Sequence, residues 1–248
     1  MMALMAQETV AAVAFSTVFG VLGTGLGGLT GALLGMKGRR LIPLLFNLSS
    51  GMMIAVVCFE LLPQAYALGL SVSVMGMLLG VLCVMALSVA LDRHHQRGTD
   101  AAAMRRTGLL VLLSLALHNF PEGLAVGAGY AAEPRLGLML GVMIMLHDVP
   151  EGVASGLPLR AGGVPIAGAF GMTVLSGLPT GLGALIGYVA SGVSQGLVAF
   201  NFGLAAGAML QVTAGELLPR ARDQGQGALD TLFLTVGIAV GSVMTLVV

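Results

Sequence analysis

Eight apolar stretches, each near the ~20 residues that carry a helix across a bilayer core, follow one another along the chain. They fall near 10–35, 41–63, 70–91, 107–131, 136–157, 164–190, 196–218 and 229–248, parted by short polar or charged breaks. The expectation is an all-α integral membrane protein of eight transmembrane helices, forming a single transmembrane domain over residues 1–248. Composition agrees. Only 9% of residues are charged and 57% are apolar, with a mean hydropathy of +0.99. A soluble domain covers itself with about 25% charged residues, so this surface has to face lipid. A formal net charge of zero gives no electrostatic attraction to nucleic acid.

The N-terminal MMALMAQETV has no basic residue before its apolar run and does not read as a cleaved signal peptide. Cys58 and Cys83 sit inside apolar stretches without a metal-binding spacing, and they read as small hydrophobes. The 38 glycines favour close helix contacts, and Gly20, Gly23, Gly27 and Gly31 offer such a face on the first span.

Basic residues fix the orientation. With eight spans, Lys37, Arg39, Arg40, Arg93, Arg97, Arg105, Arg106, Arg160, Arg220 and Arg222 all fall on one side. Arg135 alone falls on the other. Lysine and arginine are retained in the cytoplasm, so both termini are expected on the outer, periplasmic side.

Residues 48–65 (LSSGMMIAVVCFELLPQA) resemble residues 204–221 (LAAGAMLQVTAGELLPRA), with Gly51, Met53 and Glu60-Leu61-Leu62-Pro63 matching Gly207, Met209 and Glu216-Leu217-Leu218-Pro219. The two segments lie on spans two and seven, which cross in opposite directions. An inverted repeat is therefore expected, spans one to three against six to eight around central spans four and five, as in many secondary transporters.

A shorter similarity points to chemistry. Span four carries His118-Asn119-Phe120-Pro121-Glu122-Gly123, and span five carries His147-Asp148-Val149-Pro150-Glu151-Gly152. A carboxylate at mid-membrane costs about 2.5–3.5 kcal/mol, so Glu122, Asp148 and Glu151 together cost roughly 10 kcal/mol if uncompensated. No lysine or arginine falls at matching depth in the sequence. On a helix, His118 shares a face with Glu122, and His147 with Glu151. Asn119 and Asp148, three residues before those glutamates, lie within reach. Two such helices gather nitrogen and oxygen donors that suit zinc and its neighbours better than magnesium or calcium. Pro121 and Pro150 release the carbonyls of Leu117 and Leu146, which is tolerated at this depth where backbone lines a wet cavity.

HNFPEG followed one span later by HDVPEG resembles the signature of the ZIP (Zrt-/Irt-like) metal transporters, particularly the bacterial type, and the resemblance extends over nearly the whole chain. It implies uptake of zinc, and in some members iron, manganese or cadmium, into the cytoplasm across the bacterial inner membrane. It implies a homodimer in which spans one, four, five and six move against two, three, seven and eight. His118, Asn119, Glu122, His147, Asp148 and Glu151 become transport-site ligands, and Met53 matches a methionine that members often add from span two. The metal is substrate, and no cofactor is implied.

In one place the chain departs from the family. Where the sixth span often reads SGLAEPLG, this chain has Ser176-Gly177-Leu178-Pro179-Thr180-Gly181-Leu182-Gly183, so Thr180 replaces the carboxylate of a second metal position. Glu60 and Glu216 are candidate entrance and exit carboxylates, with helix-end exposure to headgroups as the plain alternative. His94 and His95, in the loop between spans three and four, are candidates for transient metal contact or are simply solvated. No Walker-type loop occurs, so ATP does not drive transport directly. Two other functions use the same residues. An intramembrane zinc-dependent hydrolase would use the glutamates as base, although HExxH is absent. A proton or cation channel would use the carboxylates alone.

Overall fold

A computed structural model describes residues 2–35, 41–94, 99–189, 195–223, 225 and 227–246, with side chains for all of these except 2–9, 41, 92–94, 132, 147 and 246. Regular structure among them is entirely helical. In chain order the helices are α1 (Met2–Leu34), α2 (Leu41–Val56), α3 (Leu62–His94), α4 (Asp100–Ala132), α5 (Pro134–Ala161), α6 (Ile166–Val189), α7 (Gln195–Val212), α8 (Leu218–Asp223) and α9 (Ala228–Leu246). Local signals set several ends. Thr99 caps α4 by accepting the Ala102 N–H, and Pro134 opens α5 where its missing N–H costs nothing.

Two five-residue π turns, Val57–Leu61 and Thr213–Leu217, continue α2 into α3 and α7 into α8. A proline follows two residues after the end of each. Pro63 and Pro219 lack an N–H, and their rings crowd the carbonyl four residues back. The backbone widens, so that the Leu62 N–H reaches the Val57 carbonyl and the Leu218 N–H reaches that of Thr213, five residues back in each case.

Seven helical stretches are long and apolar enough to cross a membrane, and the one from Ile42 to Leu91 is 50 residues long. At 1.5 Å per residue that stretch would measure about 75 Å, well over twice a ~30 Å hydrocarbon core. It is not straight. Gly69 leaves helical geometry (φ 162°, ψ 101°), and the Ser73 hydroxyl lies 2.7 Å from the carbonyls of both Ala65 and Gly69 across the break.

Helix α1 packs closely along α5 and α6, and α4 along α6 and α5. Outside this group α2 pairs with α9 and α3 with α7, while α4 meets α7 and α5 meets α2 over shorter stretches. Glycine permits the closest approaches. A Cβ on Gly123 or Gly127 of α4 would collide with the Thr180 or Ala184 carbonyl of α6, and one on Gly152 or Gly156 of α5 with the Thr24 or Gly28 carbonyl of α1. In the outer pairs, Gly80 of α3 rests on the Leu204 carbonyl and Gly237 of α9 on that of Leu48. Leucine, valine and methionine side chains such as Leu70, Met75, Leu82, Leu182 and Val243 stay exposed, as a lipid-facing surface requires.

Candidate metal site

Both six-residue motifs lie inside unbroken helices, α4 and α5, which pack directly against each other. The burial there is extreme for ionisable groups: His118 and Asp148 are 0% exposed, and Glu122 and Glu151 are 2% exposed. One donor atom each from His118, Glu122 and Asp148 lies within 4.8 Å of the other two. Ligand atoms around tetrahedral zinc, at ~2.1 Å from the metal, stand about 3.4 Å apart. Small side-chain rotations would close that difference.

Glu151 enters through the histidine. Its Oε2 lies 2.7 Å from His118 Nε2, bonding α5 to α4 at the centre of the bundle. Where Glu151 is ionised it only accepts, so Nε2 donates, and in a neutral ring Nδ1 is then the nitrogen with a lone pair to offer. Nδ1 has no partner among the described residues. Such a carboxylate behind an imidazole fixes the ring and raises its basicity as a ligand.

Asn119, fully buried, donates from Nδ2 to the Ser176 carbonyl of α6 at 2.8 Å. This turns its Oδ1 away from α6, and Oδ1 has no partner among the described residues. Thr180 is buried one turn further along α6, with its carbonyl against Gly123 and its hydroxyl against Gly20. Met53 is buried in the core beside α7, where its sulphur lies 3.6 Å from the Thr213 hydroxyl. The backbone of His147 is helical, but its side chain lies outside the described residues, as do the side chain of His94 and all of His95.

Glu60 and Glu216 each fall within a π turn and are only 9% and 8% exposed. Glu216 holds an ion pair with Arg106 of α4 at 2.8 Å, and Arg106 also donates to the Ser88 hydroxyl of α3 at 2.6 Å. Thr107 donates to Glu216 at 3.4 Å, and Arg220 lies 3.9 Å from it. Sequence reasoning missed this cluster. The proline after each Glu-Leu-Leu signals the local widening, but the approach of Arg106 is tertiary.

A sequence profile described as ZIP Zinc transporter matches residues 87–245. The chain belongs to the ZIP family. Relatives of similar length surround it. It is 33% identical to zinc transporter ZupT of Chlorobium luteolum, over 90% of this chain and 93% of that protein. It is 33% identical to zinc transporter ZupT of Corynebacterium aurimucosum, over 94% and 96% of the two chains. Zinc transporter ZupT of Xanthomonas axonopodis pv. citri is 35% identical, over 83% of each. With its apolar helices, this ZIP chain is a multi-pass membrane protein.

Proposed function

We propose that this ZIP protein carries divalent transition metal ions, zinc foremost, across the bacterial inner membrane into the cytoplasm. One observation carries the reading: a histidine and two carboxylates from adjacent helices converge within 4.8 Å at a depth where exposure is 2% or less. An ion of charge +2 offsets the cost of keeping acids there. His118, Glu122 and Asp148 hold the metal, Glu151 orients His118, and Asn119 adds an amide oxygen. His147 and Met53 complete the set from the same two spans and from α2. Iron, manganese and cadmium share this donor preference in part. Thr180 brings no negative charge, so a second metal is held weakly.

Eight spans form one transmembrane unit, with the 42–91 stretch crossing twice about Gly69. Packing supports an inverted repeat. Exchanging α1 with α6, α2 with α7, α3 with α9 and α4 with α5 turns the observed helix pairs into one another. The glycine contacts follow the same exchange. Gly123 on the Thr180 carbonyl becomes Gly152 on that of Thr24, and Gly80 on Leu204 becomes Gly237 on Leu48. Both termini face the periplasm, by the basic-residue count. A homodimer in which α1, α4, α5 and α6 move against the remaining helices is the family's arrangement. The hydrolase reading gains no support from relatives described as transporters.

Zinc uptake into proteoliposomes tests the proposal. His118→Ala and Glu122→Ala each lose most of the flux while eluting as folded protein. Full flux in both would overturn the assignment of the site.

A further inference from the structure

The Arg106–Glu216 cluster stands apart from the metal site and bonds α4 to the α7–α8 turn and to α3. Breaking a buried ion pair by removing one partner is strongly destabilising, so this contact weights one arrangement of α4 against α7. Its members have counterparts at the other end of the molecule. Arg135 stands to Arg106 as His147 stands to His118, at the same interval along the chain. Glu60 is the repeat mate of Glu216, in the matching π turn. Thr245 stands to Ser88 as Gly237 stands to Gly80, so a hydroxyl occupies both places. In this conformation the two ends differ. Arg106 and Ser88 close on Glu216, whereas Arg135 is exposed and the Thr245 hydroxyl donates to Ser242 of its own helix at 2.9 Å. Likewise α4 lies along α7 over a longer stretch than α5 lies along α2.

We propose that Arg106–Glu216 is one position of a two-position ionic latch, and that Arg135 closes on Glu60, with Thr245, in the oppositely facing state. An inverted repeat reaches its second state by exchanging the conformations of its halves, so a contact made in one half is made by its mates in the other. The inference rests on the transport reading for its purpose, and on the exchange of halves for its geometry. Each latch shuts one end while the other end opens, so the two pairs are never closed together.

Cross-linking tests it in a parent lacking Cys58 and Cys83, the two native cysteines. One variant carries Arg106→Cys with Glu216→Cys, and a second carries Glu60→Cys with Arg135→Cys. A reversible bifunctional methanethiosulfonate, permeable to the membrane, links either pair in proteoliposomes. Both pairs are expected to link, each link lowering zinc flux about tenfold or more, with recovery on reduction. In protein carrying all four cysteines, linking one pair suppresses linkage of the other by roughly fivefold or more. Both links in the same molecule at undiminished yield would overturn the latch, as would a Glu60/Arg135 pair that never links in protein that carries zinc. Mutually exclusive linkage in the four-cysteine variant, together with a cysteine-free parent that moves no zinc, keeps the latch and sinks the transport reading. Where cysteines disturb folding, charge exchange replaces them. Arg106→Glu lowers flux about tenfold, and adding Glu216→Arg restores it to within about threefold; no recovery on exchange overturns the inference.

Discussion

Helices α4 and α5 carry the same pattern of histidine, amide or acid, proline and glutamate, yet they use its second position in opposite ways. Asn119 of α4 spends its amide N–H on the Ser176 carbonyl of α6. Asp148 of α5 has no such proton when ionised, and the equivalent carbonyl on α1, that of Gly20, is taken by the Thr24 hydroxyl at 2.7 Å. The backbone frame is thus nearly symmetric, while the chemistry within it is not. One side ties its motif to a neighbouring helix, and the other presents a carboxylate. The proposed carrier would use both: a repeated frame to face two ways, and an unequal ligand set to hold an ion in one place.

The largest effect comes from removing the residue that joins the two helices. His118→Ala deletes a proposed ligand and leaves Glu151 buried without its 2.7 Å partner. Loss of one member of a buried pair costs ~3–5 kcal/mol of stability, and with the proposed ligand also gone zinc uptake per folded protein is expected to fall by at least about a hundredfold. Glu151→Gln keeps the shape and can still accept from the imidazole, and the loss is smaller, about tenfold. Equal losses in the two variants, in uptake measured at matched protein levels, would show that Glu151 binds metal directly instead of through His118.

Next comes the exchange of the unequal pair. Asn119→Asp sets a carboxylate against the Ser176 carbonyl with no proton between them, a penalty of about 1–3 kcal/mol. Asp148→Asn removes a carboxylate from the proposed ligand set. The double exchange restores the total charge but not the geometry, because the acid now faces the wrong carbonyl. Zinc affinity by competition dialysis should therefore stay weak in the double variant, roughly tenfold below wild type or lower. Recovery to wild-type affinity would mean that only the sum of charges matters and that the two sides are interchangeable.

The sequence made the spans and the polar motifs legible because both rest on local facts: length of apolar run, and helical spacing of ionisable groups. The Glu-Leu-Leu-Pro match carries the proposed relation between spans two and seven. It left a second match unread. Thr24-Gly25-Leu26-Gly27 and Thr180-Gly181-Leu182-Gly183 recur at the same interval as the two Glu-Leu-Leu-Pro segments. In the fold they place matching carbonyls against Gly152 and Gly123. Small-residue runs are common in membrane helices, so this match gains weight only from its register. The Arg106–Glu216 pair was not legible at all. Two residues far apart in the chain meet because α4 crosses α7, and nothing local in either segment says so. The burial of Glu60 and Glu216 was likewise hidden, because each proline shifts its glutamate through a π turn that helical spacing does not anticipate.

The glycine seams give a symmetric test of the frame. Gly123→Ala and Gly152→Ala each force a methyl group into a backbone carbonyl of the facing helix. Overpacking of this kind costs about 1–3 kcal/mol, and the rigid carbonyl leaves little room to relax. Thermal unfolding in detergent should drop by similar amounts in the two variants. A large loss in one and none in the other would break the equivalence of α4 on α6 with α5 on α1.

The smallest effect separates the two threonines that share a place in the proposed repeat. Thr24 uses its hydroxyl on the Gly20 carbonyl, but the Thr180 hydroxyl is buried and has no partner among the described residues. The Ser176 carbonyl that Thr180 would use by analogy already receives Asn119. Thr24→Val therefore removes a hydrogen bond worth about 0.5–1.5 kcal/mol, lowering the melting temperature by ~1–6 °C. Thr180→Val replaces an unsatisfied buried hydroxyl with a methyl group of like size and leaves the melting temperature level or slightly raised. A fall in Thr180→Val as large as in Thr24→Val would mean that this hydroxyl is engaged after all. The asymmetry traced from Asn119 to Ser176 would then end before it reaches Thr180.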